Sequence, residues 1–335
     1  MNPLDMTEVY DFLAMNYVEN EASTIRLAYS MDFLQWILTP PKYQQNWHIG
    51  IRSTCNEKLL AFVSGIPVKT RIYTSRLEMA EIYFLCVHKR LRDRRVTPVL
   101  IKEITRRIHL SNVWQAVYTA GVVLPIPLAE CRYFHRSLNP KKLIQVGFSS
   151  IPPQKTLAQT IKMFNLPTHT LTTGFRPMEK TDVPQVTKLL QEYLTKFHLA
   201  IEFSEEEVAH WMVPRVGVVN AYVVETPDTQ QVTDVCSFYH LPSTVIGDDK
   251  YKKLNAAYSF YNVETSVSLT QLTMQDALIM AKKEHLDVFN ALDVIDNIEM
   301  LQSLKFGPGS GVLQYYLSNW RCPRMSSDRV GIVLC

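Results

Sequence analysis

One continuous stretch of the chain changes character twice, and it constrains the fold more than any other segment. Residues 81–87 form an apolar run that is typical of a β-strand, and residues 88–95 form a dense basic turn. Residues 96–108 then carry apolar side chains at helical spacing, with Pro98 near the start, which predicts a helix. A strand that leads through a cationic turn into a helix N-terminus indicates a phosphate-binding site.

The basic turn has two interpretations, which the turn by itself supports about equally. One is a cradle for the pyrophosphate of coenzyme A or of a nucleotide, and the other is a solvated run of charges that caps an ordinary helix. The turn lacks the glycines of a Walker or Rossmann loop, which argues against a nucleotide hydrolase. Acyl-CoA acetyltransferase-like folds use the same strand–turn–helix arrangement with fewer glycines.

Composition limits the other partners of the basic turn. The 335 residues carry a net charge of only +3, with 47% hydrophobic and 20% charged residues, so the turn is a local feature of a globular protein. No aromatic residues interleave with the turn, so we expect no nucleic-acid partner. No apolar run approaches membrane-spanning length and the start lacks a signal-peptide pattern, so we expect a cytoplasmic protein without a transmembrane segment.

The cysteines and histidines indicate neither a disulfide nor a metal site. Both residue types are dispersed, and no pair has metal-ligand spacing. We expect reduced core thiols, no metal and no prosthetic group, with a nucleophilic cysteine as the less favoured alternative. The six cysteines are Cys55, Cys86, Cys131, Cys236, Cys322 and Cys335.

The order of predicted elements occurs twice along the chain: a helix, three strands, a helix and a further strand. This order predicts an α/β fold (α+β, with a mixed sheet) in which a helix covers one face. We expect a first half in residues 1–150, a Pro- and Thr-rich connection in 151–173 and a second half in 174–335. The predicted helices are 8–18, 96–110, 182–197, 205–211 and 270–285, and the predicted strands are 46–52, 58–66, 81–87, 115–123, 220–225, 233–241, 256–263, 287–292 and 312–320.

Two segments with unusual composition are interpreted as irregular structure. Residues 131–140 are dense in polar and aromatic side chains and indicate a loop, in which spacing alone favours a His135 that is bonded within that loop. Residues 307–311 contain three glycines and a proline and predict a tight turn. Tyr239 and Tyr258 lie on predicted apolar strands, where core packing alone would explain them.

The chain ends on an apolar segment, residues 330–335, whereas most chains end in polar, frayed residues. This ending predicts a terminus that is tucked inside the protein. A buried α-carboxylate needs a partner or a proton, so the terminus is a candidate functional group. The alternative is a final edge strand whose carboxylate reaches solvent.

Several motifs of the chain resemble those of the glycylpeptide N-tetradecanoyltransferases, the protein N-myristoyltransferases of eukaryotes. The motifs occur in the family's order and cover nearly the whole chain, so jointly they are highly specific. They are EIYFLCVHK at 81–89, KEITRR at 102–107, YTAG at 118–121, CRYFHRSLNP at 131–140, YSFYNV at 258–263, DVFNALD at 287–293 and KFG at 305–307.

The resemblance implies two acetyltransferase-like (GNAT-type) halves around a pseudo-two-fold axis. The first half would hold myristoyl-CoA as co-substrate, and the second would contribute most of the groove for a peptide that begins with glycine. We expect a monomer. The implied reaction is direct attack of the glycine amine on the thioester, without a covalent enzyme intermediate. Backbone N–H groups of Phe84 and Leu85 would form the oxyanion hole, Thr119 would belong to the catalytic group, and the α-carboxylate of Cys335 would be the general base.

The resemblance also implies two sets of binding residues. Those for myristoyl-CoA are Phe84, Leu85, Cys86, Val87, Arg92, Asp93, Arg94, Arg95, Val96 and Thr97. Those for the substrate peptide are Tyr17, Tyr29, Tyr118, Thr119, Gly121, Tyr133, His135, Tyr239, Ser243, Tyr258, Asn290, Leu313 and Leu334.

Two alternative functions accompany this interpretation. One is an N-acyltransferase of the same type that uses another acyl length. The other is a protein that binds acyl-CoA or a lipidated peptide without catalysis. Tyr83 and Ser310, which stand where the family usually has Asn and an acidic residue, would be marks of the non-catalytic alternative.

Overall fold

The computed structural model describes residues 5–17, 25–264 and 267–335, with the side chains of the last range described from residue 273 onwards. The chain forms a mixed α/β structure, as the element order predicts. The helices are α1 (Met6–Asn16), α2 (Met31–Leu38), α3 (Val96–Leu110), α4 (Pro140–Gln145), α5 (Leu157–Met163), α6 (Val183–Tyr193), α7 (Glu205–Met212), α8 (Val267–Lys283) and α9 (Ile298–Leu301). The strands are β1 (Ile25–Leu27), β2 (His48–Arg52), β3 (Leu59–Ile72), β4 (Ser75–Val87), β5 (Gln115–Ala120), β6 (Ala129–Ser137), β7 (Phe175–Pro177), β8 (Leu199–Ile201), β9 (Val219–Thr226), β10 (Gln231–His240), β11 (Ser243–Val245), β12 (Lys253–Leu254), β13 (Ala256–Ser259), β14 (Val288–Leu292), β15 (Gly307–Ser318) and β16 (Val330–Gly331).

Local capping sets the start of several helices. The Asp5 carboxylate accepts a hydrogen bond from the backbone N–H of Thr7, 3.0 Å away, at the start of α1. The Ser30 hydroxyl does the same for α2. Ser204 and Glu207 form a reciprocal capping box at the start of α7, in which each side chain accepts from the other residue's backbone N–H.

Most strands join one mixed sheet. Within the described residues, thirteen strands pair in the order β16-β8-β3-β4-β5-β15-β6-β14-β13-β10-β9-β7, with β2 alongside β3. The pairs β4–β5 and β13–β14 are parallel, and so is the short contact of β16 with β8. A separate sheet has the order β1-β11-β12.

The duplicated element order is visible in this sheet. The first unit is β2-β3-β4-α3-β5, and the second is β9-β10-β13-α8-β14. Each unit ends with a parallel pair that is connected through its helix. Between the units, β6 from the first half pairs with β14 of the second, and β15 from the second half pairs with β5 of the first. This exchange makes the two units one continuous sheet.

The largest cluster of buried apolar side chains spans both halves and includes the end of the chain. It extends from α1 and α2 through β3, β4, α6 and α7 to the tail residues Val330, Ile332, Val333 and Leu334. A second cluster lies beneath α8, and a third lies between α3 and strands β2 to β4. The tail is therefore part of the main hydrophobic core and contributes apolar contacts to it.

Two expectations of irregular structure are wrong. Residues 131–137 belong to strand β6, and only the end of the predicted loop lies outside it, where Asn139 caps α4. Residues 307–311 lie in β15, and the predicted tight turn is a register shift against β6 between Pro308 and Val312. Both segments gain their pairing from strands of the other half, which local composition does not show.

The cysteines agree only partly with the expected core thiols. All six are free, and Cys86, Cys131 and Cys236 are buried. Cys55 is exposed in a turn between β2 and β3, so the expectation of a core position is wrong for that residue. Among the described residues, no helix is long and apolar enough to cross a membrane.

Candidate active site

Strand β4 has a kink at Phe84 that sets the geometry of the site. The Phe84 backbone has a φ of 54°, in the left-handed region that non-glycine residues rarely adopt. Pairing with β3 passes from Phe62↔Cys86 to Ser64↔Tyr83, so three steps along β4 oppose two along β3. This additional residue is a β-bulge, which takes backbone groups out of the regular ladder. The Phe84 side chain is only 4% exposed, so core packing holds the kink in place.

The bulge lies beside a gap in the sheet. The parallel ladder between β4 and β5 contains three pairs and ends at Glu81↔Val117, although β4 continues to Val87. On its other side, β5 pairs with β15 over residues 116–120. The backbone of β4 beyond Glu81 therefore faces an opening at the carboxyl end of a parallel strand pair, a common location for ligand sites in α/β sheets.

The basic turn follows β4 directly, as predicted. His88 starts a short 3₁₀ segment, Lys89–Arg94, and its ring accepts a hydrogen bond from the backbone N–H of Arg90. Arg95 has a φ of 56° and precedes α3 without placing its side chain over the helix end. The first N–H groups of α3 thus lack a side-chain cap and can donate hydrogen bonds to an anion.

The end of α1 supports the basic turn from one side. The Arg92 guanidinium donates to the backbone carbonyl of Asn16, 2.7 Å away, and the backbone N–H of Lys89 donates to the Asn16 side chain. Arg94 and Arg95 are exposed. Arg92 therefore holds the turn in place through its hydrogen bond to α1, while the side chains of Arg94 and Arg95 are available to an anion.

The chain terminus enters the core. Residues 330–331 form the edge strand β16, and residues 332–334 continue inward and are buried. The Tyr315 hydroxyl donates to the Ile332 carbonyl at 3.0 Å, and the Val333 N–H donates to the Tyr261 hydroxyl at 3.2 Å. Cys335 is half-buried at the end of this segment. The structure thus combines both expected arrangements of the terminus: residues 330–331 form an edge strand, and residues 332–334 then enter the core.

Aromatic rings connect the kink in β4 to the region around the terminus. The ring centroids of Tyr17 and Tyr29 lie 5.7 and 5.2 Å from that of Phe84, and 5.8 Å from each other. Burial raises the pKa of the Tyr29 phenol well above its usual value, with a smaller contribution from neighbouring titratable groups that include Cys335. These tyrosines are therefore neutral near pH 7 and offer hydroxyl donors beside the kink.

A second group of tyrosines, from β6, β10 and β13, lies close to the terminus. The Tyr239 and Tyr258 rings stack at 5.3 Å, and Tyr133 packs edge-on against Tyr258 at 6.1 Å. Burial raises the pKa of Tyr133 and Tyr239, and the proximity of Cys335 raises both further. The two tyrosine groups thus form a neutral, largely aromatic region close to Cys335.

His135 lies in a polar row that crosses three strands. Its Nδ1 atom is 2.6 Å from the Asn290 side-chain oxygen on β14, and Asn290 also bonds Tyr258 on β13. The expectation of a histidine bonded within its own loop is therefore wrong, because residue 135 lies on a strand whose partner is β14. Burial lowers the His135 pKa, so the ring is neutral. A Cβ atom on Gly309 would lie 2.2 Å from its Nε2 atom, so only glycine fits there.

One cavity beside the terminus was not anticipated from the sequence. It has about 20 Å³ of space for water and is lined by Glu81, Tyr83, Tyr261 and Cys335, together with Pro40, Pro67, Glu207 and Trp211. The Tyr83 hydroxyl donates to the Glu81 carboxylate. An acidic residue within the apolar run 81–87, two positions before a tyrosine on the same face of the strand, was the available signal.

Comparison with known proteins identifies the family. A model described as the myristoyl-CoA:protein N-myristoyltransferase N-terminal domain matches residues 1–131, and the corresponding C-terminal domain model matches residues 145–333. The chain belongs to the myristoyl-CoA:protein N-myristoyltransferase family. This is an acyltransferase family, and the family resemblance seen in the motifs is confirmed.

Relatives and solved structures agree with that assignment. Glycylpeptide N-tetradecanoyltransferase 1 of Arabidopsis thaliana is 54% identical over 100% of this chain and 77% of its own length. Glycylpeptide N-tetradecanoyltransferase 2 of Bos taurus is 53% identical over 98% of this chain and 66% of its own length. The crystal structure of Saccharomyces cerevisiae N-myristoyltransferase with bound myristoyl-CoA superimposes with a TM-score of 0.95 at 39% identity, covering 98% of this chain and 86% of that one.

The remaining candidate site residues that the family resemblance implies are more scattered. Tyr118 stacks on Tyr316 of β15, and Gly121 has open space around its Cα atom. Ser243 is buried on β11 in the smaller sheet. Near the kink, Leu85 is largely exposed, whereas Cys86 and Val87 are buried. Of the other residues, Thr119, Leu313, Val96 and Thr97 are half-buried, Asp93 is exposed and Leu334 is buried.

Proposed function

We propose that this chain transfers the myristoyl group from myristoyl-CoA to the N-terminal glycine amine of proteins. The observation that carries the proposal is the placement of three features around β4: its kink at Phe84, the basic turn that follows it and the inserted end at Cys335. The names of the relatives and the myristoyl-CoA bound to the yeast enzyme support the choice of co-substrate.

The basic turn and the start of α3 would hold the coenzyme phosphates. Arg94 and Arg95 are exposed, and the N–H groups of Val96 and Thr97 point out of the helix start. Each charge-assisted hydrogen bond to a phosphate would contribute about 1.5–3 kcal/mol. Arg92 would act indirectly by holding the turn against α1, and Asp93 would complete the turn.

The kinked backbone would stabilise the reacting carbonyl. The N–H groups of Phe84 and Leu85 lie at the bulge, where the regular ladder is interrupted beside the gap between β4 and β5. Such donors act on the charge that develops on the thioester oxygen, and loss of one typically costs about 3–4 kcal/mol. Cys86 and Val87 would line the path of the acyl-CoA.

The terminal carboxylate of Cys335 would accept a proton from the glycine ammonium. In water this transfer costs roughly 6 kcal/mol, because an α-amino group has a pKa of about 7.8 and an α-carboxyl group about 3.5. Burial narrows this difference because desolvation penalises both charged partners. The free amine then attacks the carbonyl carbon, the C–N bond forms and the C–S bond breaks. The second proton of the former ammonium passes from the new amide nitrogen to the departing thiolate, so that coenzyme A leaves as the thiol. The Thr119 hydroxyl would orient the amine.

The aromatic region formed by the two tyrosine groups would receive the peptide. Its rings are neutral and its polar row of His135 and Asn290 is uncharged, so it can bind backbone amides and small side chains. We assign to this groove the residues Tyr17, Tyr29, Tyr118, Thr119, Gly121, Tyr133, His135, Tyr239, Ser243, Tyr258, Asn290, Leu313 and Leu334.

Blocking the terminal carboxylate tests the proposal. We expect that a chain extended by one glycine beyond Cys335 loses turnover on a glycine peptide by at least about a hundredfold, while myristoyl-CoA binding persists. A fusion whose self-cleavage regenerates Cys335 as the last residue is the matched control and restores turnover. Full activity of the extended chain would overturn the role of the carboxylate.

The same assays decide between the alternative functions. Thermal stabilisation by myristoyl-CoA without acylation of any glycine peptide would indicate a binding protein. Competition between acyl-CoA substrates of different chain length would identify an acyltransferase with another acyl preference.

A further inference from the structure

A second carboxyl group lines the small cavity beside the chain terminus. Glu81 lies on β4, three residues before the kink, and its side chain is only 4% exposed. It lines the same small cavity as Cys335, and the Tyr83 hydroxyl donates a hydrogen bond to it. The cavity has space for about one water molecule, so the Glu81 carboxyl is poorly hydrated.

The groups around Glu81 provide little stabilisation for a negative charge. Tyr83 faces it from β4, Tyr261 from the segment after β13, Glu207 from α7 and Cys335 from the tail. Among the described residues that line this cavity there is no lysine, arginine or histidine. A carboxylate in this position would therefore lack an ion-pair partner and would face the negative charge of the terminus.

Burial accordingly raises the pKa of Glu81 to about 8, and the hydrogen bond from Tyr83 limits the increase. Near pH 7 the side chain is thus a neutral acid. The Cys335 thiol is also kept protonated, because burial and the proximity of Glu81 both raise its pKa. The α-carboxylate of Cys335 can then carry a negative charge while the Cys335 thiol and the Glu81 carboxyl group are neutral.

We propose that Glu81 is a positioning residue of acyl transfer, which keeps its proton during the reaction so that the terminal carboxylate alone accepts the proton of the substrate amine. This inference rests on the proposed function. No bond to Glu81 forms or breaks in the reaction. Its contribution is to avoid a second negative charge next to the reacting groups.

Ionisation of Glu81 would oppose the reaction in two ways. An added negative charge on Glu81, beside Cys335, stabilises the ammonium form of the substrate, which is not nucleophilic. It also disfavours the negative oxyanion that develops near the kink in β4. Both effects reduce turnover as the pH rises through the Glu81 pKa, although free amine becomes more abundant in solution.

The pH dependence of kcat at saturating substrates tests this inference. We expect the wild-type kcat to fall by about tenfold per pH unit above the Glu81 pKa. Glu81→Gln keeps the acceptor for Tyr83 but does not titrate, so we expect the fall to disappear. Glu207→Gln removes the other carboxyl of the cavity, preserves the capping box of α7, and should leave the fall unchanged.

Tyr83→Phe provides an independent test, because it should shift the Glu81 pKa in a defined direction. It removes the hydrogen bond that limits the Glu81 pKa, so we expect the alkaline fall to move to higher pH. An infrared difference spectrum at pH 7 between the wild type and Glu81→Gln should contain the carbonyl band of a protonated carboxyl group, and this band requires no turnover.

The outcomes separate this inference from the proposed function. If Glu81→Gln keeps the wild-type alkaline fall, or if the protonated-carboxyl band is absent, the role of Glu81 is wrong while acyl transfer can still stand. If neither the wild type nor any variant acylates a glycine peptide, the proposed function itself fails, and a protonated-carboxyl band would then show only a buried acid.

Discussion

The two strand–turn–helix units of this chain have the same topology but opposite surroundings. In the first unit, β4 leads into the basic turn, where Arg90, Arg94 and Arg95 are exposed. In the second unit, β13 leads toward α8 through a segment whose residues Tyr261 and Asn262 are buried. Both turns follow the first strand of a parallel pair, so the fold places them equivalently.

The described residues that follow β13 in the second unit bind other parts of the protein. The Ser237 hydroxyl donates to the Tyr261 carbonyl at 2.8 Å, and the Asn262 side chain accepts from the Ser237 N–H at 3.2 Å. The Tyr261 hydroxyl accepts from Val333 of the tail. The first unit thus presents uncapped N–H groups and cations to solvent, while Tyr261 and Asn262 of the second unit are buried and Tyr261 binds the tail. Topology places the two turns, and side chains determine what each one binds.

Neutralising the basic turn of the first unit should have the largest of the expected effects, a loss of myristoyl-CoA affinity. We expect Arg94→Gln combined with Arg95→Asn to weaken myristoyl-CoA binding about a hundredfold, since two charge-assisted hydrogen bonds are lost. Asparagine is chosen at position 95 because it tolerates the left-handed backbone there. Isothermal titration calorimetry at two salt concentrations measures the effect, and the salt dependence should decrease in the variant.

The second unit provides the matched control. Lys282 and Lys283 are exposed in the last turn of α8, and changing both to Gln removes the same amount of charge from the equivalent helix. We expect almost no change in acyl-CoA affinity. Equal weakening by the two double variants would mean that net charge attracts the coenzyme and that the first turn is not a specific site.

A change in the tail, which contacts Tyr261 of the second unit, should have an intermediate effect on stability and turnover. A Cβ atom on Gly331 would lie 2.8 Å from three atoms of the buried Phe197 side chain. We expect Gly331→Ala to lower the free energy of unfolding by about 2 kcal/mol. We also expect a lower kcat, because residue 331 lies four positions before Cys335 and a shift of the tail there would displace the terminal carboxylate. Chemical denaturation and steady-state kinetics measure the two quantities.

Gly307→Ala is the control for that variant, because its added Cβ atom would meet nothing within 4 Å. We expect its stability to remain within about 0.5 kcal/mol of the wild type. If Gly331→Ala is as stable and as active as this control, the position of the tail is not as tightly determined as the Phe197 contact indicates.

Local patterns predicted the first unit well. Helix α3 begins and ends where the apolar spacing and Pro98 indicate, and the basic turn lies where the charges predict it. Strand β4 begins earlier than expected, at Ser75, because its first residues alternate in polarity as one arm of a hairpin with β3. Helix α2 was missed, since an apolar run as short as 33–38 does not distinguish a helix from a strand.

Features that depend on the other half of the molecule were not predictable in the same way. The segment 131–137 is a strand because β14 and β15 pair with it, and both come more than a hundred residues later. The burial of Glu81 depends on the tail and α7, which are distant in sequence. The candidate peptide residues came from family motifs, and the proximity of Tyr29, Tyr133 and Tyr239 to Cys335 became visible only in the tertiary structure.

The smallest predicted effect concerns the buried, neutral character of the second half. Burial lowers the pKa of His240, on β10 beside β13, to about 4, and the nearby Lys253 contributes. In the unfolded chain this histidine titrates near 6.5, so the unfolded state binds more protons between pH 6.5 and 4. Stability is therefore fully present above pH 6.5 and decreases as the pH falls, by about 1 kcal/mol from pH 6.5 to 5.5.

Replacing His240 with Gln should remove this share of the acid sensitivity, whereas His169→Gln, at an exposed position, should leave it unchanged. Urea denaturation of the three proteins at pH 6.5 and 5.5 measures the difference. His48, His135 and His210 also have pKa values lowered by burial, so a residual slope is expected in the His240 variant. An unchanged total slope would mean that His240 is hydrated, and that this side of the second unit is more open than the burial of its neighbours indicates.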